Sequence, residues 1–146
     1  ADEMLNQANK YNKKIDIAVF CAAVADFKIK KISAKKIKKE KLTTLRLIKN
    51  TDILKTISSQ RKNKPRYIVG FSAETEGIII AKEKLSKKNC DMIIYNKISK
   101  KNRVFGLNEN KISILTKNKI KNYAKSSKIK CADLIVNSIF NEIKTK

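Results

Sequence analysis

The order of apolar segments predicts an α/β domain in which a parallel sheet carries helices on both faces. Three short apolar runs, IDIAVFCAA, RYIVGF and DMIIYN, have the length and composition of buried strands. Segments with helical spacing of apolar residues lie between these runs, and strands that alternate with helices usually form parallel sheets. The 146 residues are enough for one domain with its own core.

The chain begins with a predicted helix and a predicted strand. Met4, Leu5, Ala8 and Tyr11 recur at helical spacing, which predicts an amphipathic helix over residues 2–13. The run Ile15–Ala23 is continuously apolar, as expected of a strand that is buried on both faces of a sheet.

A basic segment and a second strand–helix pair follow. Residues 27–42 are rich in lysine and have no firm apolar period, so we predict a long loop or flap. Thr43–Lys49 alternates between apolar and polar residues, which suggests a strand. The segment from Asp52 predicts a helix that is capped by Thr51 or by Asp52 itself.

The second half of the chain repeats the strand–helix order. We predict strands at residues 66–71, 91–96 and 111–115, and helices over residues 74–88 and 129–143. The apolar sides of these two helices are Ile78, Ile79, Ala81 and Leu85, and then Ala132, Ile135, Ile139 and Ile143.

Lysine dominates the charge of the chain. The formal net charge is +22, from 35 basic and 13 acidic residues, which is compatible with a nucleic-acid partner. The basic residues are nearly all lysine, whereas nucleic-acid readers favour arginine and interleaved aromatic residues. We therefore interpret most of the charge as solvated surface, do not expect a nucleic-acid partner, and keep a basic nucleic-acid-binding module as an alternative.

The residue inventory narrows the possible chemistry. The chain has no histidine, which excludes Ser–His nucleophiles and HExxH zinc sites within it. Its three cysteines match no metal-binding spacing, and we expect Cys21 and Cys90 to pack in the core of a cytoplasmic protein as reduced thiols. No apolar run is long enough to span a membrane, so we expect no membrane association.

The carboxyl ends of the predicted strands are the expected ligand site. In open parallel sheets these ends meet at one edge, here Ala22–Asp26, Phe71–Thr75 and Asn96. Ala22 and Ala23 are small enough for a ligand to approach the backbone closely. The lone acid Asp26 could equally cap a turn or contact a ribose hydroxyl or a cation.

Several basic groups could bind an anion near that edge. Lys36, Lys38 and Lys39 form KIKK, which is either a solvated loop or a flap that places ammonium groups on a triphosphate. The segment KNTDIL puts a helix N-terminus beside a strand end. Lys84 and Lys88 are four residues apart and so share one helix face.

Six of these motifs together resemble a known enzyme family. AAVADF, KIKK, KNTDIL, GFSAET, KLSKKNCDMIIYN and VFGLNENKISIL occur in the order found in bacterial phosphopantothenate–cysteine ligase, also called phosphopantothenoylcysteine synthetase. The resemblance is close over residues 1–115 and looser in the last helix. It implies a Rossmann-like three-layer parallel sheet with helices on both faces and a basic flap at about residues 27–42.

The chain departs from the family pattern in two ways. Thr51 stands where the family usually has proline, a mild change at a helix start. The family also has glycine-rich phosphate loops before the first helix seen here, whereas this chain has three glycines and none forms such a loop. We therefore expect residues 1–146 to be a partial ligase domain with its N-terminal strands missing, and a non-catalytic fragment is the second alternative.

The resemblance implies a two-step ligation. The carboxylate of 4′-phosphopantothenate attacks the α-phosphate of CTP, pyrophosphate leaves, and the amine of cysteine then displaces CMP from the acyl-cytidylate. Mg²⁺ assists the phosphates, although the resemblance assigns no metal ligand in this chain. It also implies a homodimer, and in many bacteria a decarboxylase domain upstream in the same polypeptide.

Residue roles follow from the resemblance alone. Lys36 is similar to the catalytic lysine of the family, and Ala22 and Ala23 border the acyl substrate. The implied nucleotide contacts are Phe20, Cys21, Ala22, Asp26, Lys36, Thr51, Asp52, Ile53, Leu54, Phe71, Lys84 and Lys88.

Overall fold

A computed structural model describes residues 1–11, 15–38, 44–99 and 106–145 of the chain. These residues form four helices and nine strands. The helices are α1 (Asp2–Tyr11), α2 (Ile53–Ser58), α3 (Ile78–Lys87) and α4 (Lys128–Lys144). The strands are β1 (Ile17–Phe20), β2 (Phe27–Ile29), β3 (Leu47–Lys49), β4 (Tyr67–Glu74), β5 (Met92–Lys97), β6 (Glu109–Asn110), β7 (Ile112–Thr116), β8 (Ile120–Asn122) and β9 (Ser126–Ser127).

The main sheet has five strands in the order β1-β4-β5-β7-β8. The three strands predicted from apolar runs, β1, β4 and β5, are parallel to one another. The segment KISIL also forms a strand as predicted, but β7 runs antiparallel to β5 and continues into the antiparallel β8. The sheet is therefore mixed, with its parallel part at the end where the candidate site lies.

Helices cover both faces of this sheet. The side chains of α1, α2 and α3 pack into one core cluster with Ile68, Ile93 and Leu115 of the sheet. The helix α4 packs its Cys131, Ile135 and Ile139 row against the opposite face. The three-layer α/β architecture predicted from the sequence is thus confirmed.

The first strand differs from its prediction. It is shorter than the apolar run and lies at the edge of the main sheet, where Val19 is 46% exposed, so it is not buried on both faces. The backbone leaves the sheet after Phe20, and Cys21 is therefore exposed rather than part of the core. Cys90 is buried as expected.

Two helix predictions also need correction. The third helix begins at Ile78 and not at Glu74, because β4 continues through Glu74, which pairs with Lys97 of β5. In that helix Ile79 is 70% exposed. In α4 the inward row begins at Cys131, and Ala132 is exposed because it lies one residue, or about 100°, around the helix from that row.

The basic segment is partly a β-ribbon. β2 pairs antiparallel with β3, so the predicted flap is anchored by a short two-stranded sheet at its base. Lys28 of β2 forms an ion pair with Asp2 of α1, and the Asn50 amide nitrogen donates to the Ala25 carbonyl at 2.7 Å. These contacts hold the base of the ribbon beside the first parallel strand.

Candidate functional site

The carboxyl ends of β1, β4 and β5 border a cavity of about 630 Å³. The chain after β1 lines it from Cys21 to Asp26, β4 contributes Phe71 and Ala73, and β5 contributes Asn96. The three predicted strand ends therefore converge as the sheet topology requires.

Most residues implied by the resemblance line this one cavity. They are Phe20, Cys21, Ala22, Ala23, Asp26, Thr51, Asp52, Ile53, Leu54, Phe71, Lys84 and Lys88. Lys36 is the exception, because it is exposed on the segment between β2 and β3 and does not line the cavity. Lys38 is exposed on the same segment, Lys39 lies outside the described residues, and the catalytic role of Lys36 stays a prediction.

The start of α2 is held at the cavity by a cap and by close packing. Asp52 is the N-cap, and its Oδ1 accepts a hydrogen bond from the Lys55 amide at 3.0 Å. The helix lies against Gly70 of β4, where an added Cβ would be 2.6 Å from Leu54 Cδ2 and 3.0 Å from Ile93 Cδ1. A larger residue at this position would therefore require the side chains of Leu54 and Ile93 to move aside.

The two predicted nucleotide-binding lysines each have an acidic partner. Lys84 donates to Glu74, and Lys88 donates to Asp52 Oδ2. Burial opposes ionisation of Asp52, but hydrogen bonds from Lys88 and from the Lys55 amide outweigh it and hold the Asp52 pKa below its ordinary value. Both lysines therefore line the cavity with their ammonium groups already held by an acidic side chain.

The sequence placed Asn96 at the expected ligand edge without a role and did not identify Asn50. Asn96 is 4% exposed, lines the cavity, and its Oδ1 has no hydrogen-bond partner among the described residues. The buried Oδ1 of Asn50, which also lines the cavity, is likewise unpartnered there. Buried amides are normally satisfied, so these two unpartnered acceptors are exceptions beside the cavity. The only sequence signal was the position of Asn96 at the end of an apolar run.

A second wall of the cavity comes from the far end of the chain. Asn110, Ile112, Lys128, Cys131 and Ile135 line the cavity on the α4 side of the sheet. The sequence did not predict this wall, because these residues approach the strand ends only through the pairing of β7 with β5 and the packing of α4 on the sheet.

Metal ligands are sparse in this region. In the part of the chain that the structure describes, no group of three or more His, Cys, Asp or Glu residues could hold a metal ion. Asp26 provides one exposed carboxylate at the cavity. A carboxylate oxygen is a ligand that Mg²⁺ accepts, with water and substrate phosphates as its usual other ligands.

Comparison with known families shows which protein family the chain belongs to. The family model of the DNA/pantothenate metabolism flavoprotein C-terminal domain matches residues 1–143. The chain belongs to this family. No helix among the described residues is long and apolar enough to cross a membrane.

Relatives of this flavoprotein C-terminal domain are proteins of coenzyme A biosynthesis. The chain is 40% identical over 144 residues to the coenzyme A biosynthesis bifunctional protein CoaBC of Borreliella burgdorferi, and 37% identical over 141 residues to that of Haemophilus influenzae. These alignments cover 96% and 95% of the chain but only 36% and 35% of the relatives.

The fold agrees with a solved member of the family. The whole chain superposes on 64% of the chain in the crystal structure of the C-terminal domain of CoaBC, with a TM-score of 0.78 and 25% identity. The sequence resemblance to this enzyme family is thus confirmed at the level of family and fold.

Proposed function

We propose that this chain forms the nucleotide-binding part of a CTP-dependent phosphopantothenate–cysteine ligase that acts in coenzyme A biosynthesis. The observation that carries the proposal is the single cavity at the parallel strand ends, which gathers every implied nucleotide contact except Lys36. The volume of about 630 Å³ lies within the usual range for small-ligand sites, on the order of 300–1,000 Å³.

The cavity has the groups that a nucleoside triphosphate requires. Lys84 and Lys88 supply positive charge on one wall, and a lysine ammonium carries three donors, so each can keep its acidic partner and still bind a phosphate oxygen. Asn96 and Asn50 offer buried acceptors for the polar edge of a base or for hydroxyl groups. Ala22 and Ala23 leave room beside the backbone for the acyl substrate.

In the proposed reaction the phosphopantothenate carboxylate attacks the α-phosphate and pyrophosphate leaves. The cysteine amine then attacks the acyl carbonyl, loses a proton and releases CMP. Lys36 would stabilise the negative charge that develops on the reacting phosphate, after the segment between β2 and β3 moves toward the cavity. Mg²⁺ would bind mainly on the triphosphate and neutralise part of its charge, with the Asp26 carboxylate as the candidate protein contact.

The ribbon supports a homodimer. Strand alternation puts Phe27, Ile29 and Leu47 on one face of the β2–β3 ribbon, and these side chains are 52%, 45% and 58% exposed. These exposed apolar side chains, which share their face with Lys49 opposite Phe27, favour contact with a second copy. We include in the proposal a cytoplasmic location and an upstream part of the polypeptide that supplies the phosphate loops and a decarboxylase domain.

A ligation assay tests the proposal. The natural polypeptide that contains these residues is supplied with phosphopantothenate, cysteine, CTP and Mg²⁺, and phosphopantothenoylcysteine and pyrophosphate are measured. We expect product only when all substrates are present, and less with ATP in place of CTP. Lys88→Ala should raise the KM for CTP, whereas the matched control Lys87→Ala should not, because Lys87 does not line the cavity. Absence of product from the wild-type polypeptide would refute the ligase assignment.

The same assay separates the complete ligase from a non-catalytic fragment. We expect the 146-residue chain alone to be inactive and the chain with its upstream segment to be active. Full activity of the 146-residue chain would show that the phosphate loops are dispensable.

A further inference from the structure

We propose that Glu74, through its contact with Lys84, positions the ammonium group of that lysine for a nucleoside triphosphate. This inference rests on the proposed function, since it names a residue that prepares the same site. Sequence reasoning placed Glu74 in a helix and gave it no role, whereas the structure places it in the last position of β4.

The contact is built from a strand and the helix that follows it. Strand alternation puts Ser72 and Glu74 on the face of β4 that α3 covers. Ser72 is 2% exposed, and its hydroxyl donates to Glu74 Oε1 at 2.6 Å. The Lys84 ammonium donates to the same oxygen. The buried Ser72 hydroxyl therefore holds the Glu74 carboxylate in position, and this carboxylate in turn holds the Lys84 ammonium group in position.

The contact with Glu74 holds the flexible Lys84 side chain but uses only part of its hydrogen-bond donors. The backbone of Glu74 is fixed in the sheet, because its carbonyl accepts from the Ile98 amide at 2.8 Å and it pairs with Lys97. The Glu74 side chain is only 17% exposed, whereas that of Lys84 is 40% exposed and borders the cavity. Two of the three ammonium donors of Lys84 remain available to phosphate oxygens.

Glu74 stays ionised at neutral pH. Burial opposes its ionisation, but the hydrogen bonds from Lys84 and Ser72 outweigh that effect and lower the Glu74 pKa. The ionised Glu74 carboxylate accepts a charge-assisted hydrogen bond from Lys84, and such a bond is stronger than a hydrogen bond between neutral groups.

The same helix contains a matched control pair. Glu83 and Lys87 form an ion pair at 2.7 Å, with side chains that are 49% and 72% exposed. Neither residue lines the cavity. The control pair thus has the chemistry of the Glu74–Lys84 pair but neither its burial nor its position.

The experiment is a double-mutant cycle on the Kd of CTP in the presence of Mg²⁺, measured by calorimetry on the natural polypeptide that contains these residues. We expect Lys84→Ala and Glu74→Ala each to weaken binding about tenfold, which is within the coupling range of contacting residues. The double variant should bind within about twofold of Lys84→Ala, because Glu74 acts only through the lysine. Glu74→Gln keeps both acceptor contacts and should recover part of the loss, and Glu83→Ala should leave Kd unchanged.

Three outcomes would overturn the inference. If the two losses add fully in the double variant, Glu74 has a structural role that does not depend on Lys84. If Lys84→Ala does not weaken binding, or if the wild-type polypeptide does not bind CTP, there is no nucleotide contact to position. CTP binding with the expected coupling but without ligation would sustain the role of Glu74 and refute the proposed function instead.

Discussion

Asp52 allows the capping and ion-pair contributions at the cavity to be separated. Its Oδ1 caps α2 through the Lys55 amide, and its Oδ2 pairs with the Lys88 ammonium. Asparagine is as good an N-cap as aspartate but carries no charge. Asp52→Asn therefore removes the ion pair and keeps the cap, whereas Asp52→Ala removes both.

The magnitudes follow from exposure. The side chains of Lys88 and Asp52 are 28% and 37% exposed, so solvent screens the pair and its loss should cost about 0.5–1 kcal/mol of unfolding free energy. Loss of the cap adds about 1 kcal/mol. We expect Asp52→Asn to lower the unfolding free energy by about 0.5–1 kcal/mol and Asp52→Ala by about 1.5–2 kcal/mol.

Urea unfolding followed by far-ultraviolet circular dichroism measures these values. The Asp52 pKa is depressed in the folded state, so the ion pair stabilises the fold above the unfolded pKa of about 3.9 and its contribution is lost as pH falls through the lower folded pKa. The difference between wild type and Asp52→Asn should be full at pH 7 and should shrink toward zero in acid.

Two results would refute this reasoning. Equal destabilisation by Asp52→Asn and Asp52→Ala would mean that the cap contributes nothing. A wild-type advantage over Asp52→Asn that persists unchanged below pH 3 would mean that the carboxylate charge is not its source. Lys88→Met is the independent check, because it removes the same pair from the other side and should match Asp52→Asn.

Three further predictions concern Lys36, the packing of α2 and the thiols. In the ligation assay, Lys36→Gln should preserve the circular dichroism spectrum and cut kcat by about 10²–10³-fold, and unchanged turnover would remove Lys36 from the mechanism. Gly70→Ala should destabilise the fold by about 1–3 kcal/mol in urea unfolding, because the added methyl group overpacks against the side chains of Leu54 and Ile93, and a neutral effect would show that these side chains move aside. Cys21 is exposed and should react with a thiol reagent in the native state, and CTP should protect it. Cys90 and Cys131 are buried and should react only after unfolding, and burial also raises the pKa of Cys90 to about 11. Equal reaction rates for the three thiols would contradict these buried positions.

The predictable part of the site consisted of residues next to strong local patterns. Phe71 lies in β4, at the end of the apolar run that predicted this strand, and Asp52 is the N-cap of α2, so the strand and helix periods located both. The family resemblance predicted Lys84 and Lys88 as site residues, and both line the cavity.

The errors arose where tertiary pairing overrides local pattern. Glu74 continues β4 because β5 offers it a partner strand, a fact that no local window contains. Cys21 belongs to an apolar run, yet the backbone turns out of the sheet before it and exposes its thiol. The ribbon of β2 and β3 joins segments about 20 residues apart, and local periodicity cannot report such a contact.

The sequence by itself determined the alternation of strands and helices, the parallel core and the family, because apolar periodicity and short motifs are local properties of the chain. Only the tertiary structure decided which strand lies at the edge, which carboxylates contact Lys84 and Lys88, and that α4 contributes to a second wall of the cavity. Those features depend on distances between residues far apart in sequence, and such distances are set by packing of the whole domain.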